Sequence, residues 1–158
     1  MPRLDVLPLR GNYSLIILLE PSSRVEAQSY DWPMLRKGYY AYTGSAIGKG
    51  AVSLRQRVAR HLRKKKVKHW HIDHLLTCPG VRVTAVVACV SKTNRECKIN
   101  KVIQNIRGAS VPIEGFGASD CQQDCASHLV YLGKKDVFDA IVDAYKSISA
   151  RVKAVRVS

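Results

Sequence analysis

Acidic residues are scarce in this chain: 12 Asp and Glu stand against 26 Lys and Arg in 158 residues, a formal net charge of +14. Such an imbalance favours a polyanionic partner, above all a nucleic-acid backbone whose condensed counterions are released on contact. Long hydrophobic runs are lacking too. The longest, residues 15–19 and 83–90, fall well short of the about 20 residues that a spanning helix requires. No basic helix sets exposed Trp, Phe or Leu opposite its charges, and the first residues carry no secretory pattern, so the expectation is a cytoplasmic protein with no membrane partner. Cysteines number five, an odd count that argues against a fully paired disulfide framework, and they are read first as thiols. What is present is ordinary for a globular protein, 46% hydrophobic and 24% charged. A chain of this size buries about two thirds of its unfolded surface, which makes one domain over 1–158 the expectation and excludes disorder as the main state.

Hydrophobic periodicity divides the chain into strands and helices. Residues 13–19 form a β-prone run after Gly11 and Asn12, closed by Pro21. A short run at 24–28 is expected to pair with it, ahead of a break at Pro33. Residues 38–43 read as a second, tyrosine-rich strand entering a loop with glycines at 44, 48 and 50. Over 52–66 the period becomes helical: Ala51, Leu54, Val58 and Leu62 make one apolar stripe behind a Ser53 cap, while most of the other positions are basic. Residues 81–90 are the clearest strand. Thr93 and Glu96 fit a reciprocal cap for a helix over 96–107 backed by Ile99, Val102, Ile103 and Ile106. A short strand at 129–132 and a helix over 136–148, with Val137, Ile141, Ala144, Tyr145 and Ile148 on one face, complete the pattern, and the basic tail 150–158 is expected to fray.

The informative constellation is GNY at 11–13, YTG at 42–44, Arg57 on the following helix and Glu96 opening a later one. In that order it resembles the GIY-YIG nuclease superfamily. The stretch GYYAYTGSA at 38–46, with HWHID at 69–73 and GFGASDC at 115–121, is similar to one archaeal GIY-YIG-like subfamily of obscure function, some of whose members are fused to base-excision repair glycosylases. The resemblance implies a mixed α/β fold, with a small, mainly antiparallel three-stranded central sheet (13–19, 38–43, 81–90) flanked by helices. It further implies a hairpin inserted around 24–37, because Tyr13 and Tyr42 lie farther apart than is usual in the superfamily. Asn12 and Thr43 depart from the superfamily's usual aliphatic residues.

The implied activity is metal-dependent endonucleolytic hydrolysis of DNA, in repair or in the processing of damaged or branched DNA, with DNA-repair proteins as further partners. The residue chemistry agrees. Phosphodiester hydrolysis needs an activated water, positive charge on the developing phosphorane and help for the leaving oxygen. Arg57 supplies an always-ionised fork, Glu96 can hold Mg²⁺ or Mn²⁺, Tyr13 or Tyr42 can serve as general base, and His61 lies one helical turn from Arg57. Arg55, Arg60, Arg63, Lys64, Lys65, Lys66 and Lys68 form the basic face expected to hold the strand. Taken without the resemblance, the tyrosines read as core aromatics, the arginines as a solvated basic face and Glu96 as a helix-capping acid. A binding module of the same fold without turnover competes with the nuclease.

Two further clusters stand apart. His69, His71 and Asp73 alternate, a spacing compatible with a transition metal or with turn-capping roles. Cys121, Cys125 and His128 recur at helical spacing but match no common zinc pattern and lack a fourth ligand, unless Cys97 or water provides one. Structural zinc therefore ranks below free thiols or a disulfide.

Overall fold

The computed structural model describes residues 3–20, 23–24, 32–47, 53–117, 125 and 127–157, those at 23–24 by backbone alone. A 3₁₀ turn at Leu4–Val6 precedes β1 (Gly11–Leu19); there follow β2 (Ser23–Arg24), β3 (Met34–Leu35), β4 (Gly38–Ala46), α1 (Leu54–Leu62), α2 (His71–Leu76), β5 (Val81–Val90), α3 (Glu96–Gln104), β6 (Leu129–Gly133), α4 (Phe138–Lys146) and β7 (Val152–Arg156).

The central sheet has five strands in the order β6-β4-β1-β5-β7, every neighbouring pair antiparallel. The three expected strands form its middle, and two more correct the expected count. One is the 129–132 segment, which extends β4 outward. The other is the tail: instead of fraying, Val152–Arg156 pairs with Ala85–Cys89, which covers a long apolar strand that would otherwise present an unpaired edge. β2 pairs with β3 and not with β1, so a two-stranded ribbon fills the interval between the tyrosine strands; the rest of the expected 24–28 run lies outside the described residues.

All nine residues of β1 are buried, because helices cover both faces of the sheet. On one face Leu15, Ile17 and Leu19 pack with Leu54 and Val58 of α1 and Ile72, Leu75 and Leu76 of α2. On the other, Ile16, Ala85 and Val87 pack with Ile99 and Ile103 of α3 and Ile141, Ala144 and Tyr145 of α4. A central strand enclosed on both sides reads as a continuous apolar run, which is how 13–19 appears in the sequence.

The helices are shorter than their periodicity suggests. Ser53 caps α1 as expected, accepting from the Gln56 backbone at 3.2 Å while the Gln56 side chain accepts from the Ser53 N–H at 2.9 Å. Thr93 does not cap α3. Asn94 does that work, its Oδ1 accepting from the Glu96 N–H at 2.9 Å, and the helix ends at Gln104.

The two motif departures, Asn12 and Thr43, are both fully buried and both satisfied. Asn12 accepts from the Arg95 N–H at 3.0 Å and donates to the Thr93 carbonyl at 3.2 Å, so a side chain of β1 holds the turn that launches α3. Thr43 shares a hydroxyl hydrogen bond of 2.6 Å with Ser14, which also meets the Tyr145 hydroxyl at 2.8 Å. A buried polar group placed in this way costs little and fixes register, since any slip would leave it unpaired.

Candidate active site

A cavity of about 230 Å³ opens where β1 begins and β4 ends, between α1 and the first turn of α3. Five residues expected from the sequence to act together, Tyr13, Tyr42, Arg57, His61 and Glu96, all line it. Their convergence follows from strand register, helix pitch and one anchored turn. Tyr13 lies opposite Gly44 in the β1–β4 pairing. A side chain at Gly44 would place its Cβ 2.8 Å from the Tyr13 hydroxyl, so glycine here is what gives that phenol its room. Arg57 and His61 share a face of α1 because they are four residues apart. Glu96 is positioned through the Asn12 bracket.

Within the cavity Tyr13 Oη and His61 Nε2 are 2.8 Å apart. Burial drives the His61 pKa down, reinforced by Lys66, to about 3. His61 is thus a neutral imidazole throughout the physiological range. Burial and the neighbouring Tyr42 raise the Tyr13 pKa well above the usual phenol value, and burial with Glu96 does the same to Tyr42. Both phenols therefore keep their protons in the resting site, and the Arg57 charge, which pulls both pKa values down, is outweighed.

Arg57 holds its fork in place by donating from Nη1 to the Ser45 carbonyl at 2.5 Å, and its guanidinium lies 5.5 Å from the Trp70 ring centre. Its Nε–H is buried with no hydrogen-bond partner among the described residues. An unpaired cationic donor inside a polar cavity is costly unless an acceptor arrives. Glu96 Oε1 lies 4.0 Å from His128 Nδ1 and accepts from Asn94 Nδ2 at 3.3 Å, the carboxylate being 18% exposed at the cavity wall. One carboxylate with open access suits a hard divalent cation that keeps most of its waters.

The remaining basic residues divide sharply. Arg55 donates to the Leu7 carbonyl at 2.7 Å. Arg60 makes a two-pronged pair with the buried Asp73, 2.9 Å to each oxygen, donates to the Val67 carbonyl and lies 4.7 Å from the Trp70 ring centre. Lys64 donates to the Leu76 and Val81 carbonyls. Lys66 donates to the carbonyls of Arg60 and His61, and burial brings its pKa down to about 8. These four charges fasten α1 to its surroundings. Arg63, Lys65 and Lys68 stay exposed.

The HWHID stretch bonds to the chain's own backbone and to Arg60. Asp73 caps α2, accepting from the His69 and Trp70 N–H groups at 2.8 and 2.9 Å. Burial pushes its carboxyl up, but Arg60 and the two backbone donors more than offset this and bring it down to about 2. His71 Nδ1 accepts from the Gly117 N–H at 2.9 Å and so pins the 111–117 loop over the cavity. Gly117 has φ +68°, and a Cβ there would come within 2.9 Å of the Tyr42 ring. His69 sits exposed against Trp70. These three residues gather no metal-ligating cluster among the described residues.

The cysteine reading needs correction. Cys97 and Cys125 form a disulfide, because the first turn of α3 meets the loop before β6, a contact that sequence separation conceals. Cys89 is a buried thiol and Cys121 lies outside the described residues. His128, expected in a separate cluster, lines the same cavity as Glu96, as does Trp70 of the HWHID stretch, which was not among the expected site residues.

No curated protein and no solved structure matches the chain. The profile of a family described as "Domain of unknown function DUF123" matches residues 12–150, a span running from the buried Asn12 of β1 past the end of α4 and containing every cavity residue named above; the chain belongs to that family.

Proposed function

We propose that this protein is a metal-dependent endonuclease that hydrolyses phosphodiester bonds in DNA. The observation that carries the reading is the single cavity that gathers Tyr13, Tyr42, Arg57, His61 and Glu96, with an unsatisfied arginine donor inside it. The order of the same residues along the chain resembles that of the GIY-YIG nucleases, which supports the reading from a separate direction.

In this scheme the scissile phosphate seats against Arg57, whose Nε–H gains its missing acceptor and whose charge offsets the negative charge building on the phosphorane. Glu96 would hold Mg²⁺ or Mn²⁺, a cation that when bound stabilises charge on the phosphate and leaving oxygens. An ionised tyrosine is not available as base, since burial holds both phenols protonated. Tyr13 instead relays: as it takes a proton from the attacking water it gives its own to His61 Nε2 across the 2.8 Å contact. The anionic substrate nearby raises the proton affinity of His61 at the moment it is needed. Arg63, Lys65 and Lys68, exposed in the segment that follows α1, would contact flanking phosphates.

The decisive experiment is nicking of supercoiled and branched DNA with Mg²⁺, Mn²⁺ or EDTA, comparing the native chain with Glu96→Ala purified in parallel. Metal-dependent cleavage that disappears in a folded Glu96→Ala protein is the expected result. Salt-dependent binding without cleavage would replace the nuclease by a binding module of the same fold.

A further inference from the structure

Two sulfurs and an imidazole meet beside the cavity. Cys97 sits on the first turn of α3, Cys125 on the loop before β6, and the Nε2 of His128 lies 3.6 Å from Cys97 Sγ. The ligand atoms of all three residues fall within 4.8 Å of one another. A tetrahedral zinc with sulfur and nitrogen donors spaces its ligand atoms about 3.5–4 Å apart, so only small side-chain movements separate the observed cluster from a coordination shell. The other ring nitrogen of His128, Nδ1, faces Glu96 Oε1 at 4.0 Å. Closed to hydrogen-bond distance, that pair would be the arrangement in which a metal-bound histidine has its free N–H oriented by a carboxylate. Glu96 and His128 both line the open cavity, which supplies an entry path.

We propose that the reduced protein binds zinc through Cys97, Cys125 and His128, with Glu96 as the outer carboxylate on His128, and that the disulfide is the metal-free alternative of the same site. Sulfurs joined to each other cannot both act as thiolate ligands, so the two states exclude one another. The conversion balances as follows. A dithiol reductant attacks the Cys97–Cys125 bond through a mixed disulfide, leaves as its own cyclic disulfide and delivers two electrons and two protons. Zn²⁺ then displaces both thiol protons, leaving two thiolates, one neutral imidazole and a fourth position for water. None of these steps involves DNA or its cleavage, so the site can be read out without nuclease activity even though Glu96 and His128 line the candidate catalytic cavity.

Cobalt provides a visible probe. The full chain is reduced with dithiothreitol, desalted without oxygen and titrated with Co²⁺, then back-titrated with Zn²⁺. The expected result is a sulfur-to-cobalt charge-transfer band saturating at one ion per chain and bleached by zinc. It is absent from the oxidised protein, lost in both Cys97→Ser and Cys125→Ser, and retained in Cys89→Ser. Glu96→Gln should keep the band but weaken cobalt binding about 10-fold or more, as loss of an outer-shell carboxylate does. Circular dichroism checks that each variant is folded; should the buried Cys97 variant unfold, the partly exposed Cys125 carries the test. No band in the reduced protein, or a band that survives Cys125→Ser, overturns the site.

Discussion

Arg57 and Arg60 lie one turn apart on the same helix, flank the same indole and carry the same charge, yet they occupy opposite situations. Arg60 makes three hydrogen bonds, to both oxygens of Asp73 and to the Val67 carbonyl. Arg57 has one backbone bond, to Ser45, and a buried Nε–H with no hydrogen-bond partner among the described residues. A cation whose hydrogen bonds stay within the chain holds the fold together, whereas one short of an acceptor inside a cavity is, under the nuclease reading, the candidate to meet a phosphate. The basic face of α1, uniform in sequence, is therefore two populations.

The sharpest way to break this comparison is to truncate each side. Arg57→Ala should slow cleavage by about 10²–10³-fold, the usual loss when one preorganised donor to a developing oxyanion is removed, while urea unfolding shifts by no more than about 1 kcal/mol. Equal binding losses from Arg57→Ala and Arg60→Ala, with no cleavage by either the native chain or the variants, would erase the distinction. Asp73→Asn should do the reverse. It leaves the Arg60 guanidinium without its counter-charge, costs about 3 kcal/mol in urea unfolding, and leaves the rate per folded molecule close to native.

Acid sharpens the comparison further, because the neighbours of the two arginines titrate in separate windows. His61 has a folded pKa of about 3 against about 6.5 unfolded, so the folded state binds fewer protons. The stability it contributes is complete above the unfolded value and is lost as pH falls from there toward 3. One proton of linkage amounts to about 2 kcal/mol between pH 6.5 and 5, and His61→Gln should flatten that slope. Asp73, depressed to about 2, loses its contribution only below about pH 4, so its removal leaves the upper window unchanged.

The smallest effect concerns the exposed cations. Lys68→Ala should lower the slope of log affinity against log salt by about 1, as loss of one phosphate contact does, with unchanged stability. A slope that drops equally in Arg60→Ala at a salt where that variant is folded would return Arg60 to the DNA-contacting set.

Much of the site could be read in the sequence because its chemistry is carried by residue type and chain order. Two tyrosines on neighbouring strands, an Arg and a His one turn apart, and a Glu at a helix start are local features, and each lies in the element expected, although β4 runs on to Ala46 and leaves Tyr42 at its middle. The fold was legible to the extent that it is local: strand runs, the Ser53 cap and the apolar stripes of α1 and α4. One strand was recognised but not placed, and another was missed, for opposite reasons. The 129–132 run was recognised but could not be placed, since strand order depends on long-range pairing. The tail was too short and too basic to read as a strand until β5 offered it an edge.

The sequence by itself determined the basic field, the order of the candidate catalytic residues and the two apolar faces of the central strand, because these depend on composition and on periods of two and 3.6 residues. Only the tertiary structure decided which arginines are spent on carbonyls and carboxylates, that Asn12 holds the turn before Glu96, that Cys97 meets Cys125 and that His128 joins the cavity. Each of these is a contact between segments far apart in the chain, set by how the sheet and helices pack, and no local pattern encodes the distance between them.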